Sequence, residues 1–161
     1  MIEPAPVTRS SLRRISPIAA PMPLAVLPAR TWSDEQWKRI TLGYRARDMD
    51  EKWNVFVEDE VAFLHRSWTG NGIYEASFSP VPGDGWRIST VVVESDPSRY
   101  RRRSDQYDSL LVDLVLSGIV LGEPVVDLRA ELVALTTQGS GRTDLPAGVI
   151  EHSALGLRSS Q

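Results

Sequence analysis

Residues 53–94 read WNVFVEDEVAFLHRSWTGNGIYEASFSPVPGDGWRISTVVVE, and this stretch decides the fold. Four segments, 53–58, 61–68, 73–79 and 86–94, are rich in aromatic and β-branched residues and alternate over short runs. Their links are Asp59-Glu60, TGNG at 69–72 and PVPGDG at 80–85, each short and polar or rich in Gly and Pro. Links of that length join antiparallel neighbours, so the stretch predicts a four-stranded antiparallel meander.

Helices are predicted on both sides of it. In TWSDEQWKRITLGYR, Ser33 is placed to cap a helix over about 33–45, with Asp34 and Glu35 at its positive end. Trp37, Ile40 and Tyr44 share one face of that helix. Downstream, Ser104 or Asp105 caps QYDSLLVDLVLSGIVL, which is apolar almost all round except for Asp113 and Ser117 and is therefore expected to be buried. Gly122 ends it, and Pro124 opens a third helix containing VVDLRAELVAL. The fold class is α+β, a meander packed by about three helices.

The flanks carry no such pattern. Residues 1–30 hold Pro4, Pro6, Pro17, Pro21, Pro23 and Pro28, which predicts a disordered arm ahead of a single domain over 31–138. Residues 139–161, where Gly, Ser and Pro return, are expected to form a flexible tail. Arg13-Arg14 followed by ISPIAAPMPLAVLPA imitates an export signal, but its prolines interrupt the apolar run, so a cytoplasmic location is expected.

Composition narrows the function classes. A chain of 161 residues with 42% hydrophobic and 24% charged residues fits one globular domain. The net charge of −3 gives no electrostatic reason to expect general nucleic-acid or membrane binding. There is no cysteine, His65 and His152 are the only histidines, and no apolar run is long enough to span a bilayer. Neither a metal nor a cofactor is expected. Lys38 and Lys52 are the only lysines among 18 basic residues, which singles out Lys52 within the strand region.

A two-residue Asp59-Glu60 turn pairs Trp53 with Arg66, Asn54 with His65 and Phe56 with Phe63. A four-residue TGNG loop would pair Trp68 with Ile73, Arg66 with Glu75 and Phe63 with Phe78. On that register Phe56, Phe63, Tyr74, Ala76 and Phe78 face the buried helix, with His65 on the same side. Trp53, Val55, Leu64 and Trp68 then occupy the opposite face, and Arg66 lies between Trp53 and Glu75. Meander topology also brings one set of strand ends to a common edge. That edge gathers Asp50-Glu51-Lys52, His65 to Thr69, Gly70-Asn71-Gly72, and Glu94 to Asp96.

Each candidate side chain there has two readings. His65 with Asp50 or Glu51 forms an acid–base pair, or it is a core-edge histidine bonded to Asn54. Arg66 is held rigid to meet a phosphate or carboxylate, or it completes a surface row with Trp53 and Glu75. Trp68 stacks on a base, or it packs in the core. Thr69, Gly70 and Asn71 belong to a turn that resembles a phosphate cradle in its glycines but lacks the following helix and the G-K-[ST] ending. Arg99, Arg101, Arg102 and Arg103 precede a helix N-terminus, as an anion site or a solvated loop. Ser67 has no nucleophile-elbow context.

Met49-Asp50-Glu51-Lys52-Trp53, His65-Arg66-Ser67-Trp68-Thr69-Gly70 and Ile73-Tyr74 together resemble an uncharacterised bacterial domain family with the pattern MDEKW…HRSWTG…IY. The resemblance is densest over Arg45 to Tyr74. It implies an association with ADP-ribose-handling domains such as macrodomains or ADP-ribosyl hydrolases, hence an ADP-ribose-related ligand, and it carries over no catalytic residue. The leading expectation is an accessory module whose ligand contacts are Asp50, Lys52, Arg66, Trp68, Thr69, Gly70 and Asn71. The alternatives are a metal-independent hydrolase or nuclease using His65, and a protein-interaction domain with an apolar patch around Trp53 and Trp68.

Overall fold

The computed structural model describes residues 5–140 and 146–158. In chain order its elements are β1 (Pro21–Pro23), β2 (Thr31–Trp32), α1 (Asp34–Thr41), β3 (Trp53–Glu58), β4 (Val61–Arg66), β5 (Gly72–Pro80), β6 (Trp86–Glu94), α2 (Asp105–Leu114), α3 (Val126–Ser140) and α4 (Ala147–Leu155). The fold is α+β. β3 to β6 make the antiparallel meander, and β1 and β2 add two short antiparallel strands along the outer edge of β6, so the sheet has six strands rather than four.

Local chemistry accounts for the element ends. Ser33 caps α1 by accepting from the Gln36 amide, and the Gln36 side chain returns a bond to Ser33. Ser104 caps α2 in the same way through the Tyr107 amide. α2 continues into a π-helical stretch at Val115–Val120 in which every residue is buried. Its interior carboxylates are satisfied: Asp113 meets Arg30 at 3.1 Å, and Asp108 accepts from Tyr74, Tyr100 and Arg102.

The β3–β4 register is the one the two-residue turn predicts, Trp53 opposite Arg66 and Phe56 opposite Phe63. The β4–β5 register is not. Leu64 pairs with Tyr74, Phe63 with Glu75 and Ala62 with Ala76, with a bulge between Leu64 and His65. This differs from the predicted pairing by an odd number of residues, which exchanges faces. Trp53, Val55, Leu64, Tyr74, Ala76 and Phe78 therefore pack together with the helices in one core cluster. Phe56, Phe63 and His65 lie on the other side of β3 and β4.

That second side is covered by the N-terminal segment, which is why both faces of these strands are apolar. Arg9 lies 5.0 Å from the Phe56 ring and 5.3 Å from the Phe63 ring, and its guanidinium is paired with Glu58. Ser16 exchanges backbone hydrogen bonds with Gly70 and Gly72 at 2.8 Å each. The Ala19 and Ala20 amides donate to buried Glu94, and the Leu24 amide donates to Val91. The expected disordered arm is thus, over residues 5–30, an ordered strap. Of its prolines, Pro21 and Pro23 sit on an edge strand, where a missing N–H costs the ladder nothing.

The expected tail is corrected in the same way where it is described. α3 runs on to Ser140, and α4 docks through the Trp53 indole, which donates to the Ala154 carbonyl at 2.8 Å, and through the Leu157 amide, which donates to Asp50. The rest of the predicted tail, 141–145 and 159–161, lies outside the described residues, as does 1–4 of the arm. Among the described residues no helix is long and apolar enough to cross a membrane.

A candidate anion cleft at the shared strand edge

The strand ends converge as meander topology requires. The Ser67 amide donates to the Lys52 carbonyl at 2.9 Å, the Ser67 hydroxyl to the Glu51 carbonyl at 2.6 Å, and the Trp68 indole to the Met49 carbonyl at 3.0 Å. Beside these contacts a cleft of about 310 Å³ opens, lined by Lys52, Arg66, Trp68, Thr69, Arg99 and Ser153. Lys52, Arg66, Trp68 and Thr69 are sequence-predicted; Arg99 and Ser153 join them from the β6–α2 connection and from α4.

Three cations meet there, and their surroundings differ. Arg99 is partly neutralised by Glu94, 3.3 Å away, and donates to the Pro17 carbonyl at 2.8 Å. Arg66 is half-buried; its guanidinium lies 4.5 Å from the Trp53 ring centroid, with a long 3.4 Å contact to the Ala154 carbonyl. Burial pulls its pKa down, and no carboxylate pairs with it among the described residues. Lys52 lies 5.2 Å from the Trp68 ring and likewise has no carboxylate partner there. A cation set in partial burial without a counter-ion attracts an anion more strongly than the same charge in water.

Near Arg66 lies a buried hydrogen-bonded network. The hydroxyls of Tyr74 and Tyr100 reach the same oxygen of Asp108, at 2.6 and 2.5 Å, while Arg102 holds its other oxygen at 2.8 Å. Burial pushes both phenols above their ordinary range, helped by Tyr100 and then Asp108 at Tyr74 and by Asp108 at Tyr100, so they stay protonated donors. Arg102 also bonds Asp105, and Arg103 lies 5.3 Å from the Tyr107 ring. The basic run 99–103 is therefore divided, with Arg99 alone facing the cleft.

Other expected site residues are placed differently. Gly70 and Asn71 form the turn, but its amides are committed internally: Gly70 to the Arg66 carbonyl, Asn71 to the Thr69 hydroxyl and Gly72 to the Ser16 carbonyl. The turn anchors the strap and offers no cradle of free N–H groups. Asp50 is exposed on the loop before β3, and its carboxylate lies 4.0 Å from His152. Trp53 is fully buried, so the apolar patch expected for an interaction domain reduces to Trp68, 56% exposed, and neighbouring Met49.

His65 is only 3% exposed. Its Nδ1 meets the Gly70 carbonyl at 2.9 Å, which requires a proton on Nδ1, and its ring tilts against Phe56. Burial lowers its pKa, and Arg9 and Arg99 add to that against the opposing Gly70 bond. Asn54, its cross-strand neighbour, accepts instead from the Ala46 amide. The imidazole thus lies buried under the strap and does not line the cleft. Among the described residues no three His, Cys, Asp or Glu side chains gather at metal-binding distance. Compared with family models, curated proteins and solved structures, the chain finds no match.

Proposed function

We propose that the cleft at the shared strand edge binds a phosphorylated, nucleotide-like molecule of the ADP-ribose type, and that the domain serves as a binding module. The supporting observation is the meeting of Lys52 and Arg66, both without a carboxylate partner among the described residues, beside the exposed ring of Trp68. A guanidinium fixed against Trp53 presents its free edge in one orientation, which suits the two oxygens of a phosphate. Lys52 adds a mobile charge, and the Thr69 and Ser153 hydroxyls provide partners for ribose. At about 310 Å³ the cleft is at the small end of ligand sites, so it holds the phosphate–ribose portion while a base rests on the open face of Trp68. The choice of ADP-ribose among nucleotides follows from the family resemblance of the MDEKW and HRSWTG segments.

Calorimetric titration of the full chain with ADP-ribose and with NAD tests this reading. Saturable binding below millimolar ligand is expected, with Trp68→Ala and Lys52→Ala each weakening it by about ten-fold. Heats indistinguishable from dilution up to millimolar ligand would remove it.

A further inference from the structure

The cationic surface does not stop at this cleft. A second hollow of about 390 Å³ shares Trp68 with it and is lined by Arg13 and Arg14 of the strap and by Arg45. A third, of about 650 Å³, shares Arg45 and Ala46 with the second and adds Arg39, Arg47, Arg158 and the ring of Tyr44. No Asp or Glu lines any of the three hollows. Asp48, Asp50 and Glu51 lie in the same loop as Arg45, Arg47 and Lys52, yet none lines a hollow, although buried Glu51 accepts from the Tyr44 hydroxyl and the Arg47 amide behind the third. In a chain of net charge −3, the walls of the hollows thus carry cations only.

The arginines fall into two kinds. Arg39 and Arg158 are tethered to the end of the buried π-helical stretch, donating to the carbonyls of Leu121 at 2.7 Å and Ile119 at 2.8 Å. Arg158 also lies 5.7 Å from the Tyr44 ring. The Arg13, Arg14 and Arg45 guanidinium groups are exposed and make no ion pair among the described residues, and the same holds for Arg47. Structural ion pairing therefore does not account for this clustering. Cations spaced along a track, with the exposed Trp68 ring among them, match a chain of phosphates carrying unpaired bases.

We infer that the three hollows form one track for a single-stranded nucleic acid, entered at the Lys52–Arg66–Trp68 cleft and running past Arg45 to Tyr44 and Arg158. The inference rests on the proposed reading of the edge cleft, which supplies the first nucleotide position. A single strand is favoured over a duplex because the exposed Trp68 ring can stack only on a base whose face is free.

Fluorescence anisotropy with labelled oligo-dT of about 4, 8 and 12 nucleotides tests it, with duplex DNA and polyglutamate as competitors and ADP-ribose measured in parallel. The expected result is single-strand binding tighter than ADP-ribose, gaining with length over the first few nucleotides and falling steeply with salt. The double variant Arg45→Glu/Arg47→Glu, exposed positions without side-chain partners among the described residues, is expected to weaken oligonucleotide binding by about ten-fold or more. Its ADP-ribose affinity is expected to stay within about two-fold. ADP-ribose binding without any gain for oligonucleotides, or competition by duplex or polyglutamate equal to that by single strands, overturns the track and leaves the cleft. Silence toward every probe overturns both. Oligonucleotide binding that ignores Lys52→Ala and Trp68→Ala also overturns the track as drawn, because its path then bypasses the cleft.

Discussion

His65 shows how one side chain can look reactive in a sequence and be structural in the fold. Its imidazole is covered by the strap and bonded to Gly70, and burial favours its neutral form. The folded pKa is therefore depressed below the ordinary value of 6.5, and the unfolded chain binds a proton that the folded chain refuses. The sign follows: the contribution is full above the ordinary value and is lost as pH falls from there through the folded pKa. An NMR titration is expected to place the His65 inflection below 6.5, and His65→Gln is expected to flatten the fall of urea-unfolding stability over that window. An inflection at or above the ordinary value would show an accessible imidazole. Glu94 contrasts with it. Burial opposes its charge, but the amides of Ala19, Asp96 and Ala20 and the neighbouring Arg99 outweigh that and hold its pKa below the usual carboxylate range. Glu94 fastens the N-terminal segment directly, and His65 holds the Gly70 turn to which that segment is bonded.

At the scale of elements, the strap and the β4–β5 turn are one unit. Gly70 has φ of 77°, and a Cβ there would collide with the Arg14 carbonyl. Gly70→Ala is expected to cost about 2 kcal/mol or more, combining left-handed backbone strain with displacement of the strap. Urea unfolding measures the loss, and limited proteolysis is expected to cut the variant first within residues 5–20. A variant with wild-type stability and an uncut strap would contradict the packing described here. The same unit explains what the sequence conceals. The meander, its edge and the β3–β4 register were legible because turn length and strand period are local properties. The β4–β5 register was not, because Phe56 and Phe63 are as apolar as Trp53 and Leu64 and no polar face marks the outside. The cover for that outer face is a proline-rich segment whose order comes from long-range bonds such as Ser16 to Gly70 and Ala19 to Glu94, which leave no local period. α4 was missed for a related reason. It is short, and its docking depends on a bond from the Trp53 indole to a carbonyl about a hundred positions away.

Across the whole molecule, net charge does not describe how charge is distributed locally. A value of −3 argues against general polyanion binding, yet it is a sum, and the three hollows sort cations onto one surface. Four of the six residues lining the edge cleft were readable in advance: Lys52, Arg66, Trp68 and Thr69 come together because antiparallel connectivity brings their strand ends together. Arg99 was readable only as part of a basic run before a helix, and Ser153 not at all, because both arrive from segments whose placement only tertiary packing decides. The ring of Trp68 reports directly on a phosphorylated nucleotide-like ligand in this cleft. The chain has 5 tryptophans, of which Trp32 and Trp53 are fully buried while Trp68 is 56% exposed, so its indole signal is separable. In a nitrogen–proton correlation spectrum titrated with ADP-ribose, the Trp68 indole is predicted to shift and saturate together with the Lys52 and Thr69 amides, while the Trp32 indole stays in place. A Trp68 signal unmoved up to millimolar ligand, or shifts confined to other surfaces, would contradict binding in the cleft.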